Sequence, residues 1–93
     1  MIDLSSKLRF LFGKGVIETI FYIAEFKKAG YYELYRQGFV VSRQAFSGIL
    51  KVLEENGIAE RKLIENRPPR VEYSLTGKGK EIAASLKHLN GIV

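Results

Sequence analysis

The stretch from Ser42 to Gly57 constrains this chain more than any other, because it specifies both ends of a helix and is followed at once by a change of hydrophobic period. Ser42 suits an N-cap, since its hydroxyl can accept a backbone N–H that the first turn leaves without a partner. Gly57, following Asn56, supplies the left-handed residue at which helices commonly stop. Between them Phe46, Ile49, Leu50 and Leu53 fall on one face at helical spacing and form a stripe suited to burial. Gln44, Ser47, Gly48 and Lys51 fall on the opposite, polar face. Arg43 and Lys51 lie in the first three turns and Glu54-Glu55 in the last. That polarity fits a helix offering its N-terminal half to a phosphate-rich partner, where the macrodipole is also positive. The plainer alternative is an ordinary amphipathic surface helix.

After Gly57 the pattern alternates. Ile58 to Ile64 reads as one strand and Arg70 to Leu75 as a second, with Val71, Tyr73 and Leu75 on one face and Arg70, Glu72 and Ser74 on the other. Glu65-Asn66-Arg67-Pro68-Pro69 joins them as a basic loop whose prolines stop further pairing and stiffen its tip. Upstream, Lys14 to Lys28 carries Val16, Ile17, Ile20, Phe21, Ile23, Ala24 and Phe26, which predicts a central helix buried on most sides and ended by Ala29-Gly30. Tyr31-Tyr32 reads as a brief extended segment, Glu33 to Gln37 as a short helix, and Gly38 to Val41 as a compact turn into the Ser42 helix. Two helices joined by a tight glycine-containing turn form a helix-turn-helix layout. Thr76 can cap a last helix from Gly77 to about Leu89, with Ile82, Ala83, Leu86 and Leu89 on one stripe. A further short helix is expected within residues 1–12, with Asp3 or Ser5 as its cap and Leu4, Leu8, Leu11 and Phe12 as its apolar positions.

At 93 residues the chain is expected to be a single domain, residues 1–93, of α+β class and mainly helical. The 46% hydrophobic and 27% charged content is that of a globular protein rather than a disordered tail. There is no cysteine, which excludes disulfides, thiolate chemistry and cysteine-ligated zinc. His88 stands alone without a second ligand at metal spacing, so no metal or cofactor is expected. Gly13-Lys14-Gly15 lacks both the upstream glycine and the following Ser or Thr of a nucleotide loop. No Ser-His-acid set or outstanding carboxylate pair points to an enzyme. No apolar run approaches a membrane span and the N-terminus carries no signal pattern, so the expected location is cytoplasmic. The formal net charge of +5 favours an anionic partner.

The run Pro68-Pro69-Arg70-Val71-Glu72-Tyr73-Ser74-Leu75-Thr76-x-x-Gly79 resembles the wing, second wing strand and last-helix start of the HxlR family of winged helix-turn-helix transcriptional regulators. Glu33-Leu34, Ser42, Phe46, Leu50, Leu53-Glu54, Gly57-Ile58 and Arg61 extend the resemblance, which covers Lys14 to Ile82 in order and without gaps. The first half of that pattern is shared with other winged helices, including MarR-like and PadR-like regulators. Three features depart from it. Gly15 stands after Lys14 where the family carries a tryptophan, Tyr31 replaces an arginine before the aromatic Tyr32, and the family's N-terminal cysteine is missing.

The resemblance implies a winged helix-turn-helix with a small antiparallel wing, and a symmetric homodimer that lays each Ser42 helix into the major groove of double-stranded DNA. Half-sites would sit about one helical turn apart, on the order of 34 Å. Gln44 is the leading base reader, because its amide can pair with adenine, and Arg43 can pair bidentately with guanine. Ser42 lies beside them at the helix start, while Ser47 and Lys51 suit phosphates or secondary base contacts. Gly48 leaves the outward face bare for close approach to the groove. Arg67 and Arg70 flank the wing prolines and are candidates for the backbone or minor groove, with the 64–70 tip as the contacting segment. Arg61 and Lys62 alternate faces, so one of them at most turns toward DNA. Tyr31, Tyr32 and Tyr35 can donate to phosphates or serve the core or dimer. The apolar stripes of residues 1–12 and 77–93 are expected in the dimer interface. The expected function is a sequence-specific repressor of a prokaryote or archaeon. A non-specific architectural DNA binder and a protein–protein interaction module are the alternatives.

Overall fold

The computed structural model describes residues 5–93. In chain order it contains α1 (Ser6–Phe10), α2 (Val16–Phe26), β1 (Lys28–Gly30), α3 (Tyr31–Tyr35), α4 (Arg43–Glu55), β2 (Ala59–Ile64), β3 (Arg70–Leu75) and α5 (Gly77–Ile92). This is a winged helix-turn-helix: α3 and α4 form the helix-turn-helix, and β2 and β3 form the wing. The three strands make one antiparallel sheet in the order β1-β3-β2.

The centre of the fold follows the expected pattern. Ser42 caps α4, its Oγ accepting the Ala45 N–H at 3.3 Å, and Gly57 ends it with φ +68°. Phe46, Leu50 and Leu53 are at most 1% exposed, so the predicted apolar stripe is the stripe that the core takes up. They pack with Ile20 and Ile23 of α2, Leu34 of α3 and the inner face of the sheet, where Ala59, Tyr73 and Leu75 are buried. Apolar burial on this scale is the main stabilising term of a small domain.

Three expectations are corrected. The extended segment lies at Lys28–Gly30 rather than Tyr31-Tyr32, because Ala29 is buried opposite Tyr73 in the sheet. Tyr31-Tyr32 instead open α3, whose start is set by the Glu33 carboxylate accepting the Gly30 N–H at 3.2 Å. The central helix α2 ends at Phe26, with Lys27 at φ +69°, and it buries one side only. Phe26 is 56% exposed with its ring 4.6 Å from that of Tyr22, whereas the polar Thr19 is fully buried, its hydroxyl donating to the Gly15 carbonyl at 2.7 Å. The last helix runs on to Ile92. At the N-terminus Ser5 caps α1, accepting the Leu8 N–H at 3.2 Å; the alternative cap Asp3, and Leu4, lie outside the described residues.

Gly15 explains one departure from the family pattern. It starts α2 at φ +83°, and a Cβ there would meet Val40 Cγ1 at 2.9 Å. A tryptophan therefore has neither the backbone conformation nor the room at this position.

The junction of α4, β2 and α5 is tied by Thr76. Its hydroxyl donates to the Gly57 carbonyl at 2.5 Å and accepts the Gly79 N–H at 3.0 Å, while its own N–H reaches the Ile58 carbonyl at 3.0 Å. The same hydroxyl lies 3.2 Å from the Ile58 carbonyl, so Thr76→Val keeps the shape and removes all three hydroxyl contacts. The expected loss is about 1–2 kcal/mol, read as a lower urea midpoint with an unchanged slope.

Candidate nucleic-acid interface

With its apolar stripe inward, α4 turns Arg43, Gln44, Ser47, Gly48 and Lys51 to solvent. Gln44, Ser47, Gly48 and Lys51 were predicted to share a face, and they are exposed together, with Arg43 beside them. A Cβ built on Gly48 meets nothing within 4 Å, so the bare patch beside Ser47 and Lys51 has no internal packing reason. Ser42 sits at the positive end of the same helix; its oxygen is engaged as the cap, which leaves its O–H to donate outward.

Two of these side chains are held from α3. The Tyr31 hydroxyl and Ser47 Oγ share a hydrogen bond of 2.7 Å. Arg43 Nη2 donates to the Tyr32 hydroxyl at 3.3 Å, and its guanidinium carbon lies 5.5 Å from the Tyr32 ring centre, within cation–π range. The Tyr31 hydroxyl, and after it that of Tyr32, both facing the guanidinium, raise the Arg43 pKa above the ordinary arginine value, so its charge is constant. Tyr31 and Tyr35 are half-buried, with rings 5.5 and 5.8 Å from that of Phe46. The Tyr35 hydroxyl donates to the Val41 carbonyl at 3.2 Å. The predicted choice between core and phosphate roles thus resolves differently for each tyrosine: Tyr31 and Tyr35 brace the helix-turn-helix, and Tyr32 is 61% exposed. On the other side of α3, Tyr22 donates to the Glu33 carboxylate at 2.8 Å, and that bond raises the Tyr22 pKa.

The wing supplies a second group of cations. Arg67 is exposed at the tip, beside a cis bond to Pro68. Arg70 is also exposed, but it is paired with Glu72 at 2.8 Å, which uses one of its N–H groups and leaves others for an outside acceptor. The alternation of Arg61 and Lys62 is settled by the register. Arg61 stands opposite Tyr73 on the helix side, and Lys62 opposite Glu72 on the outer side. Burial raises the Tyr73 pKa, with Glu54 adding to the shift and Arg61 opposing it. Arg61, Arg36 and Arg70 line a cleft of about 850 Å³ between α3 and the wing, together with Tyr32 and Pro69. Arg36 was missed as a site residue and Arg61 was weighed only as the alternative to Lys62, because the strand register and the placement of α3 are what bring them to this cleft. The arrangement is a helix with exposed hydrogen-bonding groups beside a basic cleft and a basic loop.

Among the described residues no helix is long and apolar enough to cross a membrane. Residues 11–93 match the model of the HxlR-like helix-turn-helix family. An uncharacterized HTH-type transcriptional regulator of Halalkalibacterium halodurans is 36% identical over 77 residues, a match covering 83% of this chain and 68% of that protein. Among solved structures, a protein of Salmonella typhimurium described as the transcriptional regulator ytfH superposes with a TM-score of 0.76 at 25% identity, covering 90% of this chain and 74% of that one. One from Porphyromonas gingivalis W83, described as a MarR-family regulator, gives 0.77 at 27% identity, covering 98% and 92%. With the family model matched from Leu11 to the last residue, and with the wing built on the motif that carried the resemblance, the chain belongs to the HxlR-like helix-turn-helix family, whose members are transcriptional regulators and not enzymes.

Proposed function

We propose that this chain is a sequence-specific repressor that binds double-stranded DNA as a homodimer. Each α4 enters a major groove, and each 64–70 wing tip lies on the backbone or in the minor groove. The observation that carries this reading is the outward face of α4, where Arg43, Gln44, Ser47 and Lys51 surround a glycine whose added Cβ would meet none of the described residues within 4 Å. Arg43 and Gln44 read base edges, Ser42, Ser47 and Lys51 hold phosphates or make secondary base contacts, and Arg67 and Arg70 serve the wing. Arg61 adds a phosphate contact inside the cleft. The division follows from chemistry: cations on phosphates give affinity without sequence information, and planar groups on base edges give discrimination.

Dimerisation uses the terminal helices. Leu8 and Phe12 near α1 are 41% and 65% exposed, and Leu89 and Ile92 of α5 are 51% and 69% exposed. A second copy would cover this apolar surface and add the burial that a chain of this size lacks on its own. A mass measurement at micromolar concentration should give twice the chain mass; a monomer there removes the dimer from the reading.

Fluorescence anisotropy across a salt series tests the whole proposal, using the protein's own upstream DNA and a scrambled duplex. A gap between the two that survives near-physiological salt is the expected result. Equal and steeply salt-dependent binding to both would point to an architectural role or to an operator elsewhere in the genome, and no binding to either would count against DNA and put the protein-interaction reading first. Repression is read separately: a reporter driven by the upstream region should rise when the protein is deleted.

A further inference from the structure

We propose that Tyr31 and Tyr32 are positioning residues that set the sequence preference of α4, by fixing Ser47 and Arg43 before DNA arrives. This rests on the DNA-reading assignment of α4 given above. Arg43 and Ser47 are four residues apart, one turn along the same helix face. Adjacent residues in the first turn of α3 reach both of them, Tyr32 to Arg43 and Tyr31 to Ser47. The tyrosines are themselves held. Their rings pack edge to face at 5.2 Å, and Tyr31 meets the ring of the buried Phe46 at 5.5 Å. Each outward side chain is therefore connected through one aromatic hydroxyl to the core.

Arginine loses much rotamer freedom when it binds, and an arm already held loses less. A hydrogen bond to the guanidinium edge together with the ring at 5.5 Å restrains Arg43 in direction as well as position. Bidentate pairing with a base depends on that direction, whereas the counterion release that sets the salt slope depends on the charge. Losing the Tyr32 hydroxyl should consequently relax discrimination and leave the electrostatic part of binding in place.

The test uses the full chain and a duplex that it selects from a random pool, compared with variants of that duplex changed one base pair at a time. Tyr32→Phe keeps the ring and should keep the melting temperature. It should reduce the preference at one base pair about tenfold and leave the salt slope unchanged. In an Arg43→Ala background Tyr32→Phe should have no further effect on preference, because its action runs through Arg43. Tyr31→Phe should relax preference at the position beside Ser47. Tyr35→Phe, whose hydroxyl goes to the Val41 carbonyl, should leave preference intact. Three results overturn the proposal: Tyr32→Phe weakening all duplexes equally, which would make Tyr32 a phosphate contact; effects of Tyr32→Phe and Arg43→Ala that add; and a Tyr32→Phe preference equal to wild type. If the wild-type chain itself selects no sequence, the DNA-reading assignment fails and the tyrosine role falls with it. A preference that survives Tyr32→Phe removes the tyrosine role alone.

Discussion

Gly79→Ala is expected to lower the unfolding free energy by about 3 kcal/mol, at the upper end of what overpacking costs. In a solvated helix the same change would stabilise by about 1 kcal/mol, because alanine has the better propensity. Here the sign reverses. Gly79 lies in the first turn of α5 against the Ile58 carbonyl, and an added Cβ would fall on that oxygen and within 3.2 Å of Leu75 Cβ. The neighbour that would have to yield is backbone, and it is fixed from both sides. The Ile58 carbonyl accepts the Thr76 N–H at 3.0 Å, and the Ile58 N–H donates to Leu53 at 2.8 Å. Relief would mean moving α5 away from the junction of α4 and the wing. Gly48→Ala is the matched comparison, since its Cβ enters open space; it should stabilise the free protein by about 1 kcal/mol. Urea unfolding of the two variants should move the midpoint in opposite directions. A destabilised Gly48→Ala, or a Gly79→Ala equal to wild type, would mean that the packing at these two positions is not as described.

What the sequence made legible was whatever is encoded locally. Ser42, Gly57 and the Phe46-Leu50-Leu53 stripe define α4 without reference to any other element, and the alternation from Arg70 to Leu75 defines β3 in the same way. Elements that exist only through distant partners were harder. Lys28–Gly30 is three residues long and becomes a strand by pairing with Glu72, Tyr73 and Ser74, so nothing within those three residues announces it. The high strand propensity of tyrosine then pointed to Tyr31-Tyr32 instead, while the Gly30-x-x-Glu33 cap that puts them in a helix uses a glycine and carries a weak signal. The candidate site divides along the same line. Helical spacing placed Gln44, Ser47 and Lys51 on one face, but it could not show that Tyr31 and Tyr32 reach Ser47 and Arg43, which are 16 and 11 residues away. Nor could alternation say which of Arg61 and Lys62 faces the helices, because that depends on the pairing of Arg61 with Tyr73.

Arg43→Ala and Gln44→Ala should fail differently from Lys51→Ala and Arg67→Ala, and the difference separates reading from holding on this surface. Removing a bidentate base contact should cost roughly 1–3 kcal/mol at one base pair and flatten the preference there. Lys51→Ala or Arg67→Ala should weaken every duplex by a similar factor and reduce the salt slope by about 1, since one fewer phosphate is neutralised. Arg43 could act in either way by charge alone, but its restraint against Tyr32 favours the directional role. Arg67 is exposed at the wing tip, where no such restraint comes from the described residues, and that favours the electrostatic role. Gly48→Ala adds a third kind of result. It should leave the fold at least as stable as wild type, yet weaken binding to all duplexes about tenfold if that face sits against the groove wall, because the methyl group stands where DNA must approach. A variant more stable than wild type and poorer at binding cannot owe its defect to misfolding. Undiminished affinity in Gly48→Ala would turn the helix away from the groove at that position, and the base-reading roles of Arg43 and Gln44 would have to be reassigned with it.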